Sequence, residues 1–432
     1  MRRITVTKYK HSLVTISIIV FTMASLTKCI DRTESSTTKK NGTDKQFAAT
    51  TTCMNCHKKI YESHISTAHF LTSQIASEKN ILGSFAAGKN EFEFNPVSKI
   101  MMEKRGDSLV QVEYENGVEK KARPFSIVVG SGKRGQTYLY WFKNNLGQLP
   151  ISYFTSAAQW SNSPGYGTKL VFNRPVTSRC LECHTTYAKI TSAAEPEQFD
   201  NSSIIYGIDC QKCHGPAAQH VAFQTQNPTI KTAKYIINPA GFTREQSLDL
   251  CKLCHGGRLE KSKPSFSFTA GDKLTDYFKT DSTARNVNDI DVHGNQYGLL
   301  SASKCFIYSS MTCTTCHSPH EKESGKLTAF SQKCLGCHGQ ANNSAKHVTV
   351  CKMTAELGDA INANCIDCHM PEQQSRSIAM LLQGSDSPTP AVMRSHFIKI
   401  YPEAVKEFML QLKKSGTNSL GNKKTTNKDL KK

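Results

Sequence analysis

The chain is 432 residues long, enough for two or three domains, with 17 cysteines, 15 histidines and a formal net charge of +19. That many thiols excludes an ordinary enzyme of a reducing compartment unless something ties them up. The charge invites a nucleic-acid or membrane-surface reading, yet it is unevenly spread: residues 1–28 hold five basic and no acidic residues, and the last twenty hold seven lysines against one aspartate.

In chain order, Arg2, Arg3, Lys8 and Lys10 precede an apolar run from Ser12 to Leu26. That pattern predicts a secretory signal peptide over 1–28, too short for a spanning helix. Its removal lowers the charge from +19 to +14. Cys29 follows directly, where a lipidated cysteine would attach the chain to a membrane. Lys28 departs from the small residue usual before such an anchor, and the alternative is a cysteine discarded with the signal. Export places the body in the periplasm or at the cell surface. Residues 29–50 are polar and aperiodic and predict a flexible linker, with a reach on the order of 25 Å.

A repeat then begins. Cys53, Cys56 and His57 in CMNCH open a motif that returns at Cys180, Cys183 and His184, at Cys210, Cys213 and His214, and at Cys251, Cys254 and His255. It recurs at Cys313, Cys316 and His317, at Cys334, Cys337 and His338, and at Cys365, Cys368 and His369. At this cysteine and histidine content chance yields roughly 0.02 copies. The first copy lies in a segment 51–75. Between it and the second, "SLVQVEYENGVEKKARPFSIVVG" and "QTYLYWFKNNLGQLPISYF" alternate with a period of two, so a β-rich insert is expected over 76–175 with turns at ENG and NNLG. Within it Gly130–Gly135, GSGKRG, matches a dinucleotide fingerprint in form only, because a strand-like QTYLYWF follows where a helix is required. Residues 176–412 hold the other six motifs and a C-terminal helix predicted over AVMRSHFIKIYPEAVKEFMLQLKK, with Pro402 starting a second segment or kinking the first. Residues 413–432 read as a disordered basic tail.

The spacing has a chemical reason. On a helical turn, positions i, i+3 and i+4 share a face. Two thiols there can form thioethers with the vinyl groups of a haem, while the histidine reaches the iron from the same side. CxxCH is the attachment signature of c-type haem, so seven covalently attached haem c groups are expected. Paired zinc sites do not demand a histidine after every second cysteine. A redox dithiol needs one CxxC, not seven, and a disulfide framework gives the histidines no role. Seven haems bring about fourteen propionate charges against about one positive charge per oxidised centre, leaving roughly +7. The basic composition then reads as counter-charge, and nucleic acid is not expected as a partner.

Outside the motifs and the signal remain His64, His69, His220, His293, His320, His347 and His396, seven candidates for the second axial position. An iron with two imidazoles is closed to substrate and suited to passing electrons. His320 is too close to His317 to reach the far side of the same iron, so it is expected to serve a neighbouring one. His64 lies five residues before His69, off its helical face, and binds only if it serves a different iron; otherwise one iron is open. The ordinary reading of any one of these is a surface or core histidine. Cys305 and Cys351 are either a disulfide or two buried thiols.

The motif surroundings carry a resemblance. CHKKIYESHISTAHF, with Tyr61 and His69, and CQKCHGPAAQHV, with His220, are similar to the ligand segments of multihaem cytochromes of the tetrahaem cytochrome c-554 and octahaem hydroxylamine oxidoreductase group. The resemblance spans roughly residues 51–400 and implies His69 and His220 as ligands. Seven haems are neither four nor eight, and His64 stands where relatives often carry an aromatic residue. The fold expected is mainly α with little regular structure, short helices and loops wrapped around stacked haems, plus the β-rich insert. The function expected is an exported electron relay between redox proteins. Its rival is an oxidoreductase acting on a small nitrogen or sulfur compound such as hydroxylamine, nitrite or tetrathionate at one five-coordinate haem. The carrier is favoured over the catalyst because every motif ends in histidine and none shows a lysine-ligated catalytic form.

Overall fold

Alternating apolar residues build the first layer of the computed structural model, which describes residues 46–166, 170–279, 286–323, 325–339, 351–358 and 360–415. The expected signal peptide, Cys29, most of the linker, His347 and the tail beyond Ser415 lie outside these residues. After β1 (Ser73–Ile75), strands β2 (Glu91–Asn95), β3 (Ser98–Arg105), β4 (Ser108–Glu115) and β5 (Val118–Phe125) pair in order as an antiparallel sheet. Asn116 and Gly117, with φ of 51° and 77°, make the two-residue turn between β4 and β5, since only such turns match the strand twist. Strands β6 (Ile127–Val129), β7 (Gly135–Phe142), β8 (Asn145–Gln148), β9 (Ile151–Phe154), β10 (Gln159–Asn162) and β11 (Arg174–Pro175) follow. The turn between β7 and β8 is Lys143–Asn144, one residue ahead of the expected NNLG, and Gly147 falls inside β8. A Cβ on Gly147 would sit 2.3 Å from Tyr140 Cε1, so the glycine there admits a tyrosine ring.

Period-two burial sorts the side chains into two cores. Phe92, Ile100, Met102, Phe125, Val128, Tyr138, Leu149, Ile151 and Trp160 fill one. Leu139, next to Tyr138 on β7, points into the other with Ile127, Leu146, Val176, Leu181 and Phe199. Leu181 belongs to the helix Ser178–His184 that carries the second motif. The back of the sheet therefore holds the start of the motif-bearing chain.

The expectation of a mainly α fold is overturned. Strand makes up 26% of the structure against 32% helix, and strands continue past the insert. Past β12 (Thr185–Tyr187), strands β13 (Ile190–Ser192) and β14 (Gln198–Phe199) extend the second sheet to the order β1-β6-β7-β8-β14-β13, with β9 on β7 and β10, and β11 on β8. Then come β15 (Ile205–Tyr206), β16 (Glu260–Lys261), β17 (Phe278–Lys279), and the hairpin β18 (Glu372–Met380) with β19 (Thr389–Arg394). Several are two or three residues long, too short to show a period, yet chain between motifs must still pair its backbone groups. The C-terminal helix begins only at Pro402 and runs to Ser415. Its expected first half is β19 instead, because Ala391 packs with Phe154 and Met380, and pairing across a hairpin outweighs a helical period. His396 lies in the link between them. Phe47–Lys432 forms one compact unit. Among the described residues no helix is long and apolar enough to cross a membrane.

Candidate haem-binding site

Short helices present the motifs. Six of the seven histidines end or lie within helices: Met54–His64, Ser178–His184, Cys210–His214, Arg244–His255, Leu327–His338 and Ile366–His369. The Cys313 copy starts on a 3₁₀ turn, Cys313–Thr315. Local chemistry fixes the starts. Asp209 accepts from Gln211 N at 2.8 Å and caps the Cys210 helix, and the same carboxylate accepts from Thr50 Oγ1 at 2.7 Å. Thr243 and Gln246 form a reciprocal capping box ahead of Cys251.

The motif histidines share a bonding pattern. Nδ1 of His214 donates to Ile237 O at 2.9 Å, of His255 to Gln296 Oε1 at 3.1 Å, of His317 to Glu323 Oε2 at 3.1 Å and of His369 to Lys399 O at 3.0 Å. His184 Nδ1 meets Thr72 Oγ1 at 3.1 Å, and His220 Nδ1 donates to Lys234 O at 2.8 Å. A proton held on Nδ1 leaves the lone pair on Nε2, and such partners orient the ring for a metal. Sequence reasoning did not find Thr72, Gln296 or the two carbonyls, which lie 23 to 112 residues from their histidines. Glu323, six residues past His317, was within reach of a search for carboxylates beside each motif.

Facing pairs come next. Ring centroids of His69 and His255 are 6.1 Å apart, of His214 and His320 6.1 Å, and of His317 and His396 6.2 Å. Two imidazoles bound on opposite sides of one ion, with metal–nitrogen bonds of about 2 Å, would place their ring centres about 6 Å apart, so these pairs fit one iron each. His293 and His255 are the histidines whose fields act on His184. Burial first, then neighbouring histidines, lowers His69, His184 and His396 to about 4, which keeps them in the neutral form a metal binds. His69 and His255 nevertheless keep accessible ring surface.

His64 differs. It is buried, its Nε2 lies 2.9 Å from Ile208 O and its Nδ1 3.1 Å from Pro319 O. His57 is exposed, with φ and ψ of −115° and 37° that break its helix. His338 is an electrostatic neighbour of His369.

Thiols of different motifs lie side by side. Cys53 and Cys210, Cys183 and Cys254, Cys251 and Cys313, and Cys334 and Cys365 lie near enough for each thiol to shift the other's titration. Within each pair one thiol is held low and its partner high because they share a proton; Cys53 and Cys365 fall to about 7. Cys213 and Cys251, and Cys316 and Cys334, are close enough to feel each other's charge. Cys305 lies near Cys316, Cys334 and Cys337, and Cys351 lies near Cys368. Cys305 is not bonded to Cys351.

Cysteine pairs beside metal-ready imidazoles, three of which face another imidazole, are the residues that covalent attachment of haem c requires. Residues 158–215, which include the second and third motifs, match the family model described as cytochrome c554 and c-prime. Over that stretch the chain is similar to c-type cytochromes of this family. A solved structure, the outer cell wall cytochrome OcwA, aligns with a TM-score of 0.49 at 15% identity, over 84% of this chain and 81% of that one. No curated protein matches the chain.

Proposed function

We propose that the chain is an exported heptahaem cytochrome that relays electrons between redox proteins. The observation that carries this is the contact between cysteines of different motifs. Numbering the motifs in chain order, thiols of the first and third, second and fourth, fourth and fifth, and sixth and seventh lie side by side, and the third and fourth, and the fifth and sixth, are near enough for their charges to interact. When bound, haem c supplies a one-electron ferric–ferrous couple. The chain's own residues hold each group by two thioethers and a motif histidine and place neighbouring attachment points together. His69, His320, His396 and His293 serve the irons of His255, His214, His317 and His184. His220 and His347 remain for the other three.

A second reading rests on that count. Both nitrogens of His64 face carbonyl oxygens, which leaves six imidazoles for seven second positions. The iron without one would be open to a small nitrogen or sulfur compound. The N-terminal signal supports export, and Cys29 supports attachment to a membrane surface. Intact-mass measurement of the mature protein is expected to show seven haem additions and, if Cys29 is lipidated, an acyl group; fewer haems would sink the heptahaem assignment. Low-temperature electron paramagnetic resonance then separates the two readings: wholly low-spin iron supports the relay alone, and one high-spin centre that binds carbon monoxide when reduced supports the open iron.

A further inference from the structure

The histidine set apart by its bonding has a place in the fold that suggests its task. His64 Nε2 meets Ile208 O and its Nδ1 meets Pro319 O, joining segments 144 and 255 residues away in the chain. Each contact abuts a candidate haem ligand. Ile208 precedes Asp209, the cap of the Cys210 helix, and Ile208 N donates to His69 O at 2.9 Å. Pro319 precedes His320, whose ring lies parallel to that of His214, at 13°. The His64 ring stands edge-on to Phe70 at 5.9 Å and to His320 at 6.2 Å. Its own backbone is fixed as well, since His64 O accepts from Thr67 N at 2.9 Å and Thr67 Oγ1 at 2.7 Å. The Ile208 side is rigid: Gly207 has φ of +66°, and a Cβ there would lie 2.0 Å from Phe70 O. A neutral imidazole donates from one nitrogen and turns its lone pair toward the other carbonyl, so the ring fills the gap between the two segments and its removal leaves at least one carbonyl without its donor.

We infer that His64 is a positioning residue, a clasp that holds the Pro319–His320 segment against the third motif so that His320 stands opposite His214. The inference rests on the reading of His320 as a ligand, and the test separates the two. His64→Ala, His64→Phe, His64→Gln, His320→Ala and the double variant His64→Ala/His320→Ala are compared by intact mass and by the number of high-spin irons relative to wild type. Phenylalanine fills the space without donating, whereas the glutamine amide carries two N–H donors. All variants are expected to keep the wild-type haem count. His64→Ala and His64→Phe should convert up to one iron to high spin, His64→Gln should stay at the wild-type count, and the double variant should show one new high-spin iron, as His320→Ala does. Two new high-spin irons in the double variant would make His64 itself a ligand and overturn the clasp. Unchanged spin in both His64→Ala and His64→Phe would overturn it too. If His320→Ala opens no iron, the ligand reading beneath it fails first.

Discussion

The sheets between Ser73 and Asn162 and the motif-bearing chain beyond Ser178 are built on different interiors. In the sheets, Phe92, Ile100, Met102, Tyr138, Leu149, Ile151 and Trp160 are all nearly or wholly inaccessible and close on one another. The motif-bearing elements bury less. Leu327–His338 buries only Ser331 and the turn Cys313–Thr315 buries none, as does the neighbouring helix Ala218–Gln226, whereas Arg244–His255 buries Leu248 and Leu253. A helix of that length is marginal by itself in water, so these elements must be held from outside. One region is closed by many of its own side chains; the other closes fewer of them, around Leu253, Phe268, Leu274 and Phe278, and in the proposed cytochrome would be completed by what its cysteines attach.

That contrast can be broken most directly by withholding haem. Protein made without haem attachment is expected to keep amide-exchange protection in β3, β4, β7 and β9 and to lose it across 210–340; equal protection in both would refute the contrast. Next in size is Cys251→Ser/Cys254→Ser, which should remove one haem addition by mass. Because this motif lies beside the second and fifth and near the third, it should also slow reduction of the remaining irons, seen by stopped-flow, more than Cys180→Ser/Cys183→Ser at the branch does. Trp160→Ala should cost about 3–5 kcal/mol in urea unfolding through the cavity it leaves, with the haem spectrum unchanged. Gln111→Ala is expected to cost about 1–3 kcal/mol. It is wholly buried, and its amide donates to Ile151 O at 2.8 Å and accepts from Ile151 N at 3.1 Å. Smallest of all is Arg105→Ala. Its pair with Glu119 is exposed and that with Glu103 half-exposed, and surface pairs contribute little, so the melting temperature should not move measurably.

Legibility in the sequence followed the same division. The long alternations around SLVQVEYE and QTYLYWF correspond to β4 and β7 because a half-buried strand writes its period into the chain. β13 and β14 left no trace, since two or three residues cannot show a period, and β19 was hidden because AVMRSHF fits a helix until its hairpin partner is known. Within the site, CxxCH spacing was plain, as covalent chemistry fixes it locally. Which imidazole faces which motif was not: His69 and His255 meet across 186 residues, and only the folded chain brings them together. His64 was the informative case. Five residues from His69, it could be a ligand on spacing alone, and only the two carbonyls around its ring show what else it does.

Of the partners of His184, His214, His255, His317 and His369, Glu323 alone carries a charge: it holds His317 at 3.1 Å and also takes Ser318 N at 2.9 Å, where the other four rings meet a hydroxyl, an amide or a carbonyl. An anionic acceptor draws the Nδ1 proton hardest and makes the imidazole a stronger electron donor, which favours the ferric state. Potentiometric titration of Glu323→Gln measures this, and an unaltered lowest potential would remove the effect. In the proposed relay the effect would make the haem of the fifth motif a sill partway along the row, and electrons passing from either side would have to climb over it.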